Sequence, residues 1–262
     1  MTTSGMDDMA RVENSWRLES PIAELSVGGI SGRVDVSRPQ LGLHRVAFNG
    51  QPQDARLLSL GSDDAGRDSD VPGWPVADAY VRGHDLVAMY RPRDDWPFSP
   101  QVYWQANAPQ SASDALGGLS LFISVQTHLL DTWPRISVRS QATADETLHV
   151  MPDDARHRAT PLSRPAQTIR PTAGATCVLR RLAGQRLSYA EIMPASDFRE
   201  VRVEWDAGGS CHTRWELFAD FLEKGVIWRS RLQAVLLPRE NDILHAIACC
   251  RAFQERPLPL TT

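Results

Sequence analysis

Apolar and polar residues alternate with a period of two through most of the chain, which is typical of strands with one buried face. The alternation is clearest in residues 30–36, 44–48, 101–105, 119–127, 136–140, 201–205, 211–218 and 226–237. Tight-turn sequences separate several of these stretches. Asn49-Gly50 follows one strand, Gly83-His84-Asp85 joins residues 79–82 to 86–90, and Gly208-Gly209 precedes residue 211. Such turns join neighbouring antiparallel strands, so the sequence predicts a series of hairpins.

The pattern changes near both ends of the chain. Residues 1–15 show no periodicity and are predicted to be a flexible leader. After Pro238 the spacing of Ile243, Ile247 and Cys250 places one apolar face on a helix of about residues 241–254, which Asn241 or Asp242 is expected to cap. We expect residues 16–262 to form a single domain, mainly β, built as a large two-sheet antiparallel sandwich with one C-terminal helix.

Two segments carry little periodicity. Residues 61–70 are rich in Gly, Ser and Asp and are predicted to form a surface loop. Residues 151–171 contain four prolines and mixed charge, and they are predicted to cross the surface without regular structure.

Composition excludes several classes of function. The net charge is −4 and Lys224 is the only lysine, so nothing suggests a basic surface for nucleic acid. The chain has no signal-peptide pattern and no run of 18 apolar residues, which predicts a cytoplasmic protein that does not bind membranes. The four cysteines and seven histidines lack the spacings of a metal site, and no phosphate or dinucleotide motif is present, so no cofactor or metal is expected.

Aromatic and polar residues are concentrated between positions 74 and 133. Sugar rings stack on aromatic side chains while charged groups bind their hydroxyls, so this region could form a ligand groove. The alternative is that these aromatic residues fill and seal the core. The residues predicted to line the groove are Trp74, Asp78, Tyr90, Arg91, Trp104 and Trp133.

A second candidate lies in residues 187–198, which contain Tyr189, Glu191 and Asp197. Glu191 could act with His128 as an acid and base pair if the fold brought them together. The alternative is a solvated strand end. Glu216 is expected to form an exposed ion pair with Arg214.

The hairpin of residues 205–218, the long strand 226–237 and the Trp-rich middle together resemble the large β-sandwiches of galactose mutarotase-like proteins. This resemblance implies a supersandwich fold. The segment 221–227 also resembles uncharacterised bacterial proteins that have no assigned activity.

Three functions remain open on these grounds. The first is carbohydrate binding through the aromatic groove. The second is a sugar epimerase or mutarotase in which His128 and Glu191 exchange protons with a ring oxygen and a hydroxyl. The third is a structural or interaction protein that forms homo-oligomers through strand edges or the terminal helix.

Overall fold

The structure is a computed structural model that describes residues 15–61, 73–94, 96–110, 113–152, 158–218 and 220–256. The predicted leader, apart from residue 15, and most of the predicted loop 61–70 lie outside these ranges. The described residues form strands in two antiparallel sheets together with one C-terminal helix. The predicted fold class, a mainly β two-sheet sandwich with a terminal helix, is therefore confirmed.

The smaller sheet is a meander of five strands in chain order. Its strands are β1 (Trp16–Glu19), β2 (Ile22–Val27), β3 (Ile30–Asp35), β4 (His44–Phe48) and β5 (Gln51–Pro52). Alternate residues of β3 are buried, as the period-two pattern predicts. The Asn49-Gly50 turn joins β4 to β5, with both residues at positive φ.

The larger sheet has 13 strands. In chain order they are β6 (Ala55–Gly61), β7 (Val76–Arg82), β8 (Asp85–Tyr90), β9 (Phe98–Asn107), β10 (Gly117–Thr127), β11 (Ile136–Met151), β12 (Arg158–Leu162), β13 (Gln167–Ile169), β14 (Ala175–Leu182), β15 (Leu187–Pro194), β16 (Glu200–Trp205), β17 (Ser210–Phe218) and β18 (Trp228–Pro238). Their main order across the sheet is β13-β16-β17-β11-β14-β15-β18-β10-β9-β8-β7, and β6 and β12 pair with the long strand β11.

The two faces of the large sheet are covered differently. Alternate residues of β18, such as Leu232, Ala234 and Leu236, belong to the main core. The intervening residues Val235 and Leu237 contact a second core beneath the helix. A strand that is buried on both faces has a continuous apolar sequence, which explains residues 234–237 of β18.

The helix α1 (Asp242–Glu255) covers β14, β15 and β18 on the outer face. Asn241 precedes it with φ of 57° and makes no side-chain cap, so the predicted cap at this residue is wrong. Asp242 instead accepts two hydrogen bonds from the guanidinium of Arg181, both at 2.9 Å, and one from Ser188 at 2.7 Å. This ion pair fixes the start of the helix on the sheet.

The segment 151–171 is more regular than predicted, because it contains β12 and β13. Pro161 lies in β12, which among the described residues pairs only with β11. Proline is tolerated in an edge strand where its missing N–H would not take part in the ladder.

The hairpin turn between β2 and β3 lies against the large sheet. Gly29 donates its N–H to Leu116 O at 3.0 Å, and Gly28 has φ of 53°. A Cβ on Gly28 would lie 1.9 Å from Leu116 O. Glycine at this position is thus required both by backbone conformation and by the close approach of the two sheets.

Candidate functional site

The first group of predicted groove residues lies at one end of the large sheet. Trp74 precedes β7 and Tyr90 ends β8, and Trp96, which was not among the predicted groove residues, precedes β9. The rings of Trp74 and Tyr90 are 5.1 Å apart and edge to face, and those of Trp74 and Trp96 are 5.0 Å apart. The hydroxyl of Tyr90 donates to Val36 O at 2.9 Å, and burial raises the pKa of Tyr90. These aromatic side chains pack on one another, and Trp74 and Tyr90 are buried.

The other predicted groove residues are distributed differently. Arg91 is exposed and adjoins the recess between Trp74 and Tyr90. That recess has no room for a water-sized molecule. Trp104 lies in the middle of β9, fully buried in the main core, and Asp78 is exposed on the edge strand β7. The structure therefore brings Trp74, Tyr90 and Arg91 together and places Trp104 apart from them.

Trp133 differs from these aromatic residues because 56% of its surface is exposed. It lies in the loop between β10 and β11, and its ring packs edge to face on Phe221 at 5.8 Å. The two loops that carry this pair are joined by hydrogen bonds. Leu222 N–H donates to Thr132 O at 2.8 Å, and the Thr132 hydroxyl donates to Leu222 O at 2.6 Å. Trp133 is thus exposed and held in position.

Polar side chains lie close to Trp133 in the sequence. His128, Asp131 and Arg135 lie in the same loop as Trp133 and are all exposed. Imidazole, carboxylate and guanidinium groups together supply both donors and acceptors of hydrogen bonds. We call Trp133, Phe221 and these three side chains the Trp133 platform. An exposed ring flanked by such groups can stack on an apolar ligand face and bind hydroxyls at its edge.

The second candidate, Glu191, lies at the centre of a buried polar network on the inner face of the large sheet. Its Oε2 accepts hydrogen bonds from Thr213 at 2.7 Å and from the Trp215 indole N–H at 2.8 Å. Arg180 donates to the same oxygen at 3.4 Å, and Tyr189 donates to Oε1 at 3.2 Å. Glu191 and Arg180 are both fully buried. The alternative of a solvated strand end is therefore wrong for Glu191.

The strands that carry this network are not adjacent. Glu191 is on β15 and Trp215 on β17, with β14 and β11 between them. Trp215 pairs with Val138 of β11, whereas Val178, the partner of Glu191, pairs with His149 of β11. Eleven residues of strand separate Val138 from His149, which is about 36 Å along a straight strand. The side chains of Glu191 and Trp215 therefore meet because β11 bends, and its register shifts between Ala144 and Glu146. The inner face is consequently concave, and Phe48 of β4 covers it by stacking on Tyr189 at 6.4 Å.

The charge of Glu191 is stabilised by its neighbours. Burial by itself would raise the pKa of Glu191, but the charge of Arg180 and hydrogen bonds from Ser140, Trp215 and Thr213 outweigh it and hold this pKa below its usual value. Burial raises the pKa of the Tyr189 hydroxyl well above its usual value. The network thus contains a carboxylate and a guanidinium that are both charged, which makes it a buried ion pair.

The structure does not bring His128 and Glu191 together. Glu191 pairs with Ala234 of β18, whereas Val125, three residues before His128, pairs with Trp228 near the start of that strand. Six residues of strand separate Trp228 from Ala234, which is about 20 Å along the sheet. His128 is exposed beyond that end, while Glu191 is sealed in the interior. The two side chains face no common cleft in this conformation.

The remaining acidic candidates form ion pairs. Asp197 lies 3.5 Å from Nε of Arg231 and accepts the main-chain N–H of that residue at 3.0 Å, and burial raises the pKa of this carboxyl. Glu216 lies 3.7 Å from Arg214, with both side chains about one third exposed, as expected for a surface ion pair. In the described ranges, no group of three or more His, Cys, Asp or Glu side chains is arranged to hold a metal ion.

The sequence pattern did not identify the partners of Glu191, which are Arg180, Ser140, Thr213 and Trp215. Arg180 is the one charged residue in the alternating run Thr176, Val178, Arg180 and Leu182 on one face of β14, and Val178 and Leu182 belong to the main core. A charged residue in such a run indicates a buried partner, and this signal could have identified Arg180.

Within the described part of the chain, no helix has both the length and the apolar character needed to cross a membrane.

Comparisons with known proteins define the fold. No protein-family model and no curated protein sequence matches this chain. A proposed aldose 1-epimerase from Escherichia coli K12 has a similar structure, with a TM-score of 0.57 and 9% identity over 83% of this chain and 99% of the other. A proposed aldose 1-epimerase from Klebsiella pneumoniae gives 0.57 and 10% over 92% of this chain and 87% of the other.

A third similar structure is a galactose mutarotase related enzyme from Lactobacillus acidophilus. Its TM-score is 0.51 at 10% identity, and the match covers 81% of this chain and 96% of that enzyme. At such low identity the likeness concerns the fold alone. The chain has the fold of galactose mutarotase-like β-sandwiches, as the sequence resemblance implied.

Proposed function

We propose that this protein binds carbohydrate at the Trp133 platform. The observation that carries the proposal is an indole more than half exposed, fixed by its neighbours and accompanied by exposed polar side chains. Tryptophan is usually well buried in folded proteins, so a large exposed indole is a feature that a ligand would explain. The similar structures carry sugar-related names, which supports a sugar as the class of ligand.

The chemistry of the platform suits a sugar ring. The apolar C–H face of the ring would stack on Trp133, and Phe221 would keep the indole from rotating away. His128, Asp131 and Arg135 would then bind hydroxyl groups at the ring edge. Because the loop is already held by the Thr132 and Leu222 hydrogen bonds, little ordering would be needed on binding.

Binding fits the described residues better than sugar isomerisation does. An epimerase needs an acid and a base that face the same substrate. Glu191 has no exposed surface, and His128 lies at the end of the sandwich. Binding at the platform requires neither Glu191 nor proton transfer.

A panel of immobilised mono- and oligosaccharides identifies the ligand, and titration calorimetry then measures its Kd. We expect Trp133→Ala to weaken binding about tenfold or more, which corresponds to the loss of one stacking contact. Trp133→Phe should retain most of the affinity, because it keeps an aromatic face. Leu244→Ala removes an exposed apolar side chain on α1, and it should leave Kd unchanged. Equal binding by Trp133→Ala and the unaltered protein, or no binding to any sugar, would overturn the proposal.

A further inference from the structure

Exposed apolar side chains are concentrated in the same two loops. Among the described residues, seven large hydrophobic side chains are exposed. Six of them lie between β10 and β11 or between β17 and β18. The seventh, Leu244, lies on α1. Isolated exposed apolar residues are ordinary on a protein surface, but a cluster of this kind marks an interaction site.

Four members of the cluster are aliphatic. They are Leu129, Leu130, Val226 and Ile227, with Leu130 exposed over 75% of its surface. We call these four residues the aliphatic patch. Aliphatic side chains offer no flat ring for stacking and no polar group for hydroxyls, so sugar binding at the Trp133 platform does not explain them. Burial against another protein surface does, because it removes apolar area from water.

The aliphatic patch is held by the strands beside it. The loops leave neighbouring strands, since Val125 of β10 pairs with Trp228 of β18. Leu129 N–H donates to the Thr127 hydroxyl at 3.2 Å, and Val226 N–H donates to Glu223 O at 3.1 Å. The Thr132 and Leu222 hydrogen bonds join the two loops. A surface that is already ordered loses little entropy when it is covered.

The charges next to the aliphatic patch suit a second copy of this chain. Glu223 and Lys224 are adjacent and exposed in the turn that precedes Val226. A two-fold axis through the patch would place Glu223 of one copy near Lys224 of the other, and the symmetry would give two such pairs. A mixed and balanced rim of this kind does not favour a strongly charged partner or an anionic lipid surface.

The size of the aliphatic patch agrees with a dimer. From their exposed fractions, its four side chains present on the order of 400 Å² of apolar surface. Each subunit of a stable dimer buries about 800 Å², of which somewhat more than half is apolar. The patch therefore supplies most of the apolar area that such an interface needs.

We propose that the protein forms a two-fold dimer through Leu129, Leu130, Val226 and Ile227, with Glu223 and Lys224 of each copy paired across the axis. The dimer leaves the Trp133 platform of each copy at the margin of the interface. This proposal does not depend on sugar binding.

Sedimentation velocity over a range of concentrations tests the dimer. The unaltered full chain should sediment as a species of twice 29.1 kDa. Leu130→Asp should weaken the dimer at least thirtyfold, because it places a carboxylate in the apolar centre. Leu244→Asp introduces the same charge at an exposed apolar site on α1, and it should leave the dimer intact. Thermal unfolding establishes that both variants are folded, and Ile227→Asp serves as a second disruption.

Lys224 is the only lysine, so cross-linking can independently test whether this residue lies close to its copy across the axis. A short amine-to-amine cross-linker should join Lys224 of the two copies and give a doubled band on a denaturing gel. Lys224→Arg keeps the charge but should abolish the link between the two copies of residue 224, which peptide mass spectrometry distinguishes from a link through the α-amino group of the chain, while leaving the sedimenting mass unchanged. A monomer at all concentrations would overturn the proposal. So would a dimer that persists in both Leu130→Asp and Ile227→Asp, because another face would then form it.

The two proposals can fail separately. Leu130→Asp should become monomeric and still bind sugar with an unchanged Kd per site. Trp133→Ala should lose sugar affinity and remain a dimer. If Leu130→Asp stays dimeric while Trp133→Ala loses sugar binding, the dimer proposal is wrong and the sugar proposal is supported.

Discussion

Replacement of Glu191 by glutamine tests whether the buried network is an ion pair on which folding depends. The side chains of Glu and Gln have nearly the same size, so Glu191→Gln leaves no cavity. It removes the negative charge and leaves the guanidinium of Arg180 in the interior without its counter-charge. Among the described residues, Nη2 of Arg180 donates to Glu191 and Thr213, and the guanidinium also contacts the thiol of Cys211, so Glu191 supplies its counter-charge. Arg180 cannot be neutralised by losing its proton.

The expected cost is therefore large. Removing one partner of a buried ion pair costs about 3 to 5 kcal/mol, because the remaining charge has neither water nor a counter-charge. The hydrogen bonds that Thr213 and Trp215 donate to Glu191 at 2.7 and 2.8 Å also weaken when their acceptor becomes neutral. We expect Glu191→Gln to lower the free energy of unfolding by about 4 kcal/mol, a large fraction of the usual stability of a domain.

Urea unfolding followed by tryptophan fluorescence measures this free energy. Glu216→Gln provides the matched control, because Glu216 is partly exposed and lies 3.7 Å from Arg214. That change should cost less than about 1 kcal/mol. A double replacement, Arg180→Met with Glu191→Leu, removes both charges and should be more stable than Glu191→Gln alone. If Glu191→Gln lies within about 1 kcal/mol of the unaltered protein, the buried pair is not a source of stability and the reasoning fails.

The pH dependence of the same variant follows from the direction of the pKa shift. The pKa of Glu191 is lower in the folded protein than in the unfolded chain. Its contribution to stability is therefore complete above the unfolded pKa and is lost as pH falls through the folded pKa. Glu191→Gln should lose less stability on acidification than the unaltered protein does. A parallel loss in both proteins would contradict the assigned shift.

Two further predictions concern stability. Burial lowers the pKa of His149, whose Nε2 has no hydrogen-bond partner among the described residues, so stability should be complete above the ordinary pKa of histidine and fall as pH drops through it. His149→Gln should then lose less stability than the unaltered protein between about pH 7 and about pH 5 in urea titrations, and an equal loss would contradict this. Gly28→Ala should cost about 2 kcal/mol or more in thermal unfolding, because its Cβ would overlap Leu116 O. Gly184 also has a positive φ, but a Cβ there would have no neighbour within 4 Å, so Gly184→Ala measures the cost of the backbone strain alone.

Most of the fold could be predicted from alternation, and the exceptions have local causes. The strand predicted at 136–140 continues to Met151 as β11, but its register shifts between Ala144 and Glu146. A bulge resets which residues face inward, so the period-two pattern disappears from the sequence while the strand continues. The strands β12 and β13 were missed because prolines occur in and near them, although edge strands tolerate proline.

The candidate site was harder to predict, because its contacts join distant parts of the chain. Trp74, Trp104 and Trp133 look alike in sequence, yet only Trp133 is exposed. That difference depends on which residues cover each ring, as Trp96 covers Trp74. In the same way, nothing in the spacing of Arg180 and Trp215 shows that both contact Glu191. Curvature of the large sheet decides this, and local periodicity carries no information about curvature.

The Glu191 network and the Trp133 platform lie in different parts of the molecule, so stability and ligand binding should depend on different residues. The network of Glu191 lies on the concave inner face beneath the small sheet, and opening it to a ligand would require Phe48 to leave Tyr189. Gly28 and Gly29 contact Leu116 at the same junction, so displacement of the small sheet would also break main-chain contacts between the sheets. The Trp133 platform lies on loops at one end of the large sheet and needs no such displacement. Changes at Glu191 should therefore alter the free energy of unfolding, whereas changes at Trp133 should alter ligand affinity with little effect on the core.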